Sequence, residues 1–208
     1  LCHSNYSFQE GASSVEDLLV RARGLGLQAL ALTDHDNLCG AMHFAQLAKT
    51  LDIQSITGVE MTIKGGDYGK DGSHLTLLAE NRDGYSQLSN LVSYSYIAGD
   101  RRNPALDLKH LPGNLDGLIL LTGCRAGRVP SLLTEGRFAE AETQLKHYLD
   151  WFGANNVFVE LQQNLVQGDT SRNRRLIDLA KKLGVPTVAT NNVHYHVPER
   201  HRLQDALV

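Results

Sequence analysis

Apolar positions along this chain switch back and forth between a helical and a strand spacing. SSVEDLLVRARGLG (13–26) is helical, with Ser13 or Ser14 as N-cap, acids three residues on and a glycine stop. QALALT (28–33) reads as a short buried strand and GAMHFAQLAKTLD (40–52) as a helix. IQSITGVEMTI (53–63) is a β-branched strand expected to break at Gly58, GGDYGKDGS (65–73) a loop, and HLTLLAE (74–80) a strand. DGYSQLSNLVSYSYIAG (83–99) carries Tyr85, Leu88, Leu91, Val92 and Tyr96 at helical spacing. A looser stretch covers 100–116. It is followed by LILLTG (118–123, strand), one or two helices over 129–152 split near Gly136, and NVFVELQ (156–162, strand). TSRNRRLIDLAKKLG (170–184) is a helix and PTVATN (186–191) a strand. Such alternation predicts an α/β fold of βα units around a mainly parallel sheet, open or closed. With no repeat or linker in view, residues 1–208 read as a single domain.

The totals fit that picture. At 42% hydrophobic and 21% charged, 208 residues suffice for one sizeable core. A net charge of −3 argues against a strong, autonomous nucleic-acid binder. No apolar run reaches the ~18 residues a membrane span needs, and no signal segment opens the chain, so no membrane partner is expected. Three cysteines, at 2, 39 and 124, do not make a disulfide framework, and a reducing cytoplasm is the expected home. The start at Leu1 and the helix-like ending PERHRLQDALV predict a piece of a longer chain.

The chemistry lies in where the polar residues fall. His35 follows ALALT, Glu60 ends ITGVE, Cys124 follows LILLTG, and Asn192 and His194 follow TVAT. Four strands therefore deliver a ligand-type residue at or near their carboxyl ends, which in βα folds share one face. His74 begins its strand, so it joins that face only if the strand runs the other way or bends in. Each residue alone has a plainer reading. A single histidine at a loop mouth is solvated, Asp34 serves a helix entry, and Cys124 is a small buried hydrophobe. Glu60 in a β-branched strand resists such a reading, because a buried carboxylate without partners is costly. Imidazole, carboxylate and thiolate together suit Zn²⁺, Mn²⁺ or Fe rather than Ca²⁺. Cys2, Cys39, His43, His110, His147, His196 and His201 read as structural or surface residues. RNRR (172–175) reads as a solvated helix face rather than a phosphate clamp. The common phosphate-loop, nucleophile-elbow and dinucleotide fingerprints are absent.

HSNYSFQEGAS, LALTDHDNLCGA, ITGVE, HLTLLAENRDGYSQLSNLVS, GLILLTGCRAGRVPSLL and VPTVATNNVHY follow one another in the order and spacing of a PHP (polymerase and histidinol phosphatase) domain. The chain resembles most the PHP domain that opens the alpha subunit of bacterial DNA polymerase III and its error-prone relative, over essentially its whole length. The resemblance implies a distorted (βα)7 TIM-like barrel holding up to three divalent metal ions on one face. It implies metal positions at His3, Glu10, His35, Glu60, His74, Cys124, Asn192 and His194, with His35 and His194 also at catalytic positions and Asp34 orienting its neighbours. Active members hydrolyse phosphoesters, some as 3′–5′ exonucleases. Others are structural modules bound to the polymerase core of the same chain or to a separate replication or repair subunit, and reach DNA through the full-length protein. Three departures bear on that choice. Leu1 stands where active members have a histidine, Glu10 where the polymerase relatives have Asp, and Asn192 where an Asp is expected. Losing a nitrogen donor and a bridging charge predicts fewer metals here and a mainly structural module. An active exonuclease is the alternative, and a free-standing phosphatase on a small substrate a more distant one.

Overall fold

The computed structural model describes residues 1–65, 72–98, 102–108, 111 and 115–207. Most of the loop expected over 65–73, part of the looser stretch over 100–116, and His110 lie outside these. In chain order the elements are α1 (Val15–Gly24), β1 (Ala29–Leu32), α2 (Ala41–Thr50), β2 (Gln54–Ile63), β3 (Ser73–Ala79), α3 (Arg82–Ala98), β4 (Leu118–Leu121), α4 (Arg128–Thr134), α5 (Phe138–Phe152), β5 (Val157–Gln162), α6 (Asp169–Leu183), β6 (Thr187–Thr190) and α7 (His201–Leu207). Of the two candidate caps of α1, Ser14 is the one used, in a reciprocal capping box with Asp17. The 129–152 segment divides at Gly136, as its sequence predicts.

The strands form one curled sheet in the order β1-β2-β3-β4-β5-β6, a half-barrel with helices around it. The pairs β1–β2, β4–β5 and β5–β6 are parallel, but β3 runs antiparallel to both neighbours. The sheet is therefore mixed but mainly parallel, as expected, with β3 the one reversed strand among the described residues. The cause is the connection from Ile63 to Ser73, too short for a crossover helix. The break expected at Gly58 does not occur: β2 runs straight through it. Glycine is needed there for closeness, since a Cβ would meet Leu78 Cδ2 at 2.5 Å and the Leu77 carbonyl at 2.8 Å.

Strands β6 and β1 are not paired with each other. The extended residues 1–3 lie between them instead. The His3 amide donates to the Val193 carbonyl (2.9 Å), the Val193 amide to the Leu1 carbonyl (3.2 Å) and the Thr33 amide to the Cys2 carbonyl (2.9 Å). Among the described residues, six strands and this short segment thus stand where the resemblance implies seven βα units.

Alternation along the strands sorts the two faces of the sheet. Val59, Met61, Leu75, Leu77, Leu118, Leu120, Val157 and Val159 point outward and pack against Leu88, Leu91, Leu132, Leu145, Tyr148 and Leu176 of the helices. Each such buried side chain contributes about 1.5–3 kcal/mol. A second cluster joins α1 and α2 through Val15, Leu18, Leu19, Phe44 and Ala48 to Cys2 and Leu32. The alternate residues of the same strands, Glu60, Thr62, His74, Thr76, Glu160 and Gln162, turn to the concave face.

Candidate metal centre

The concave face gathers the polar residues that the strand ends deliver. Glu60 is its hub, 3% exposed. Its Oε1 lies 3.1 Å from His74 Nδ1, while its Oε2 lies 3.4 Å from His3 Nε2 and 4.0 Å from His35 Nδ1. His74 reaches Glu60 because β3 runs antiparallel, placing Thr62 opposite His74 and Glu60 opposite Thr76. The reversal of β3 thus supplies what strand order alone does not. His35 follows β1 and bridges to Glu60 as an extension of the β1–β2 pairing. Its Nδ1 sits 2.8 Å from Glu10 Oε1 and its Nε2 2.9 Å from Thr62 Oγ1. The rings of His35 and His74 meet edge to face at 4.7 Å, and those of His3 and His194 stack at 4.8 Å. His194 Nδ1 also pairs with the Glu10 carbonyl (2.9 Å), and Cys124 Sγ stands 3.6 Å from His74 Nδ1.

Seven of the eight sequence-derived positions are thereby brought into one network. Asn192 is the outlier: its Oδ1 is buried and makes no hydrogen bond. Among the described residues, two triads offer ligand atoms within 4.8 Å of one another, His35–Glu60–His74 and His3–Glu10–Glu60, and Glu60 belongs to both. Cys124, Asn192 and His194 belong to neither.

Further residues support these rings, beginning with Asp34, which the family resemblance gives as an orienting acid. Asp34, 2% exposed, accepts from the Ser4 amide (2.7 Å), the Ser4 hydroxyl (2.8 Å) and the Ser7 hydroxyl (2.7 Å). Ser7 Oγ in turn lies 3.2 Å from His3 Nδ1 and accepts from the His35 amide at 3.0 Å. Asp34 therefore orients both histidines through a serine. Asp36, in the left-handed region at φ 53°, receives the Thr62 amide and hydroxyl, each at 2.7 Å. Gly123 (φ 86°) lets the chain pass beneath Cys124, where a Cβ would stand 2.7 Å from the His74 carbonyl. Glu160 on β5 is the largest omission. Its side chain is fully buried, with Oε1 held by the Thr190 hydroxyl and by the Gln162 amide (3.1 Å), while Oε2 has no partner. The alternation of NVFVELQ held the signal, because it sets Glu160 on the face opposite Val157 and Val159.

Electrostatics prepares this set for cations. Burial pushes His3 down to about 4, overriding the pull of Glu60, so its ring is neutral at pH 7 with a lone pair to offer. Burial opposes the charge on Glu60, but the His74 hydrogen bond and the fields of His3, His74 and His35 outweigh it and bring the carboxyl to about 2. Burial likewise opposes charge on His35, yet the hydrogen bond and charge of Glu10, with Glu60 and Asp36, raise it to about 9. Burial first, then Glu60, pushes the Cys124 thiol up to about 12, with a smaller contribution from Glu160. An anionic hub surrounded by imidazoles is a donor set suited to Zn²⁺, Mn²⁺ or Fe²⁺.

The remaining sequence candidates are accounted for without ligands. Arg172 pairs with Asp169, and Arg175 donates to the Leu133 carbonyl (2.8 Å) and lies over the Phe138 ring. RNRR is therefore partly knitted into the fold, not simply a solvated face. His196 pairs with Ser13 (2.7 Å), and Cys2 is a core residue. Among the described residues, no helix is long and apolar enough to cross a membrane.

Comparison with known proteins agrees with the geometry. The family model of the PHP domain matches residues 2–164. An error-prone DNA polymerase of Symbiobacterium thermophilum is 39% identical over 221 residues, covering 99% of this chain and 20% of that protein. The DNA polymerase III subunit alpha of Treponema pallidum is 40% identical over 214 residues, covering 99% and 18%. The chain thus spans about a fifth of the length of these relatives. Among solved structures, an amidohydrolase from Chromobacterium violaceum superposes with a TM-score of 0.56 at 14% identity, over 99% of this chain and 94% of that one. A candidate metal-dependent phosphoesterase of Bifidobacterium adolescentis gives 0.53 at 15%, with the same coverage. At such identities these two speak to the fold alone.

Proposed function

This chain belongs to the PHP domain family, and from that premise we propose that it is a single PHP domain of a longer bacterial DNA polymerase chain, holding two divalent cations that share Glu60. The observation that carries this reading is the division of the Glu60 carboxylate, with one oxygen toward His74 and the other toward His3 and His35. A carboxylate so placed can bridge two cations and offset their repulsion. His3 and Glu10 complete one position, and His35 and His74 the other. Asp34 and Asp36 hold the ligand loops in place.

In this reading the module is mainly structural. Its cations tie residues 1–10 to β1, β2 and β3 and so fix the face presented to the polymerase core of the same chain, to DNA through the full-length protein, and to other replication or repair subunits. Leu1 and Asn192 carry the argument against full catalytic competence, as each removes a donor or a charge from the set the family resemblance assigns. One observation favours the second reading, an active 3′–5′ exonuclease. The side chains of His35, His74 and Glu10 remain 16%, 25% and 35% exposed, which leaves a phosphodiester room to approach. Cations bound there would polarise a phosphoryl oxygen and acidify water. His35 and His194 would then be the residues nearest the reacting phosphate.

The test is elemental analysis of chelator-free protein beside digestion of a 3′-labelled DNA. The structural reading expects bound metal, lost in His35→Ala, and no digestion. Digestion that His35→Ala abolishes would establish the exonuclease instead, and protein free of metal under all conditions would refute the cation reading.

A further inference from the structure

We propose that His35 meets its cation through Nδ1, and that Thr62 is the positioning residue that sets this choice by holding the hydrogen on Nε2, with Asp36 behind it. That choice rests on the two-cation reading above, since it matters only where a cation is bound. An imidazole has two nitrogens, and the hydrogen bond made by one decides whether the other is offered to a metal. The surroundings of the His35 ring are divided accordingly. On the Nδ1 side stand two carboxylates, Glu10 at 2.8 Å and Glu60 at 4.0 Å. On the Nε2 side stands Thr62 Oγ1 at 2.9 Å, with the Asp36 carboxylate beyond it at 3.5 Å.

The Thr62 hydroxyl has one hydrogen, and that hydrogen is spent. It is donated to Asp36 Oδ2 at 2.7 Å, so toward His35 the oxygen accepts and Nε2 donates. Asp36 is committed to Thr62 rather than to a cation: its Oδ1 takes the Thr62 amide and its Oδ2 the hydroxyl, each at 2.7 Å. Its backbone sits at φ 53°, a region uncommon for residues with a side chain, and its amide donates to the Glu60 carbonyl at 2.8 Å, which fastens the loop to β2. Thr62 is placed by β2 itself. It lies two residues after Glu60, shares the concave face and stands opposite His74 in the register with β3. Asp36, Thr62 and His35 thus form the arrangement in which a carboxylate orients a metal-binding histidine, lengthened by one hydroxyl. With the hydrogen held on Nε2, the Nδ1 lone pair is the one that faces a cation beside Glu10 and Glu60.

The experiment is a long-range proton–nitrogen correlation spectrum of the imidazole rings in the Zn²⁺-loaded chain, with His35 assigned through its side-chain carbons. Zn²⁺ affinities of Thr62→Val and Thr62→Ser, by competition with a chelator, are measured alongside. The loaded wild type should show His35 with its hydrogen on Nε2 and its coordinated nitrogen at Nδ1. Thr62→Val keeps the shape of the side chain, removes the hydroxyl and should weaken the Zn²⁺ held at His35 about tenfold. Thr62→Ser keeps the hydroxyl and should bind Zn²⁺ as the wild type does. A purely structural threonine predicts either that Thr62→Val binds as tightly as the wild type or that both variants lose affinity equally, and each of these results overturns the proposal. A wild type whose His35 is coordinated at Nε2 overturns it too, and that result needs no variant to fold. Coordination at Nε2 would leave the two-cation reading standing and remove this proposal alone, whereas a chain that binds no Zn²⁺ would remove both.

Discussion

Glu60 and Glu160 are both buried carboxylates on the concave face, three strands apart, and their surroundings treat them in opposite ways. Around Glu60 the chain has placed three imidazoles, and they hold its carboxyl down at about 2. Around Glu160 it has placed a threonine hydroxyl and a glutamine amide, both on one oxygen, and has left the other unmet. The first carboxylate is stabilised by groups that can turn from partners into fellow ligands when a cation arrives. The second keeps one oxygen unmet and has the buried Leu1 amino group 3.9 Å from the other. The comparison teaches that the centre is built unevenly, with a self-supporting half at β1–β3 and a sparsely paired half at β4–β6.

The largest effect should follow from breaking the self-supporting half. Glu60→Gln in chelator leaves buried His3 and half-buried His35 and His74 without their anion and should cost roughly 3 kcal/mol, read by urea unfolding. The same change at Glu160 should cost less than about 1 kcal/mol, since a carboxylate with an unmet oxygen gives up little on neutralisation. Equal losses at the two positions would erase the distinction.

A second test sharpens the comparison by adding donors to the sparsely paired half. Leu1→His with Asn192→Asp, made with native residues ahead of position 1, should raise metal content and create or increase digestion of a labelled 3′ end. Either change alone should do less. More metal with no cleavage would show that the loss of activity, if any, lies elsewhere. Smaller still is Asp34→Asn. It weakens the hold on Ser4 and Ser7, and so on the His3 and His35 rings, and should lower metal affinity about tenfold and stability by about 1–3 kcal/mol. Calorimetry and urea unfolding measure both.

How much of this was legible in the sequence follows from what periodicity can see. Val59, Leu77, Leu120 and Val159 announce the helix-facing side, and His35, Glu60, Cys124 and His194 announce themselves by falling at strand ends. His74 required the direction of β3, which is fixed by a short connection rather than by any residue pattern. The closing role of residues 1–3 rests on backbone hydrogen bonds, which leave no compositional trace. Ser4 and Ser7 read as ordinary loop residues, because their importance lies in which carboxylate they find. Glu160 was visible only through the alternation of its strand, and its burial depends on the barrel closing over it. Gly58 misled because a strand glycine marks either a break or a close approach, and only the packing of Leu78 decides.

A further test is the pH profile of the chelated protein. His35, raised from 6.5 to about 9, contributes stability that is full below pH 6.5 and is lost as pH rises through 9. Glu60, lowered from 4.5 to about 2, contributes stability that is full above pH 4.5 and is lost as pH falls through 2. His3, lowered from 6.5 to about 4, penalises the folded state progressively as pH falls from 6.5 to 4. Stability should therefore peak near pH 6.5, read as the urea midpoint across the range. A midpoint that climbs steadily from pH 6.5 to 9 would contradict the His35–Glu10 pairing.

The central claim is that one carboxylate serves two cations, and electron paramagnetic resonance of the Mn²⁺-loaded chain tests it most directly. Two Mn²⁺ ions sharing Glu60 should give the broadened spectrum of an exchange-coupled pair, and Glu60→Gln should abolish it while Glu160→Gln leaves it in place. Uncoupled six-line Mn²⁺ signals at saturation, unchanged in Glu60→Gln, would contradict it.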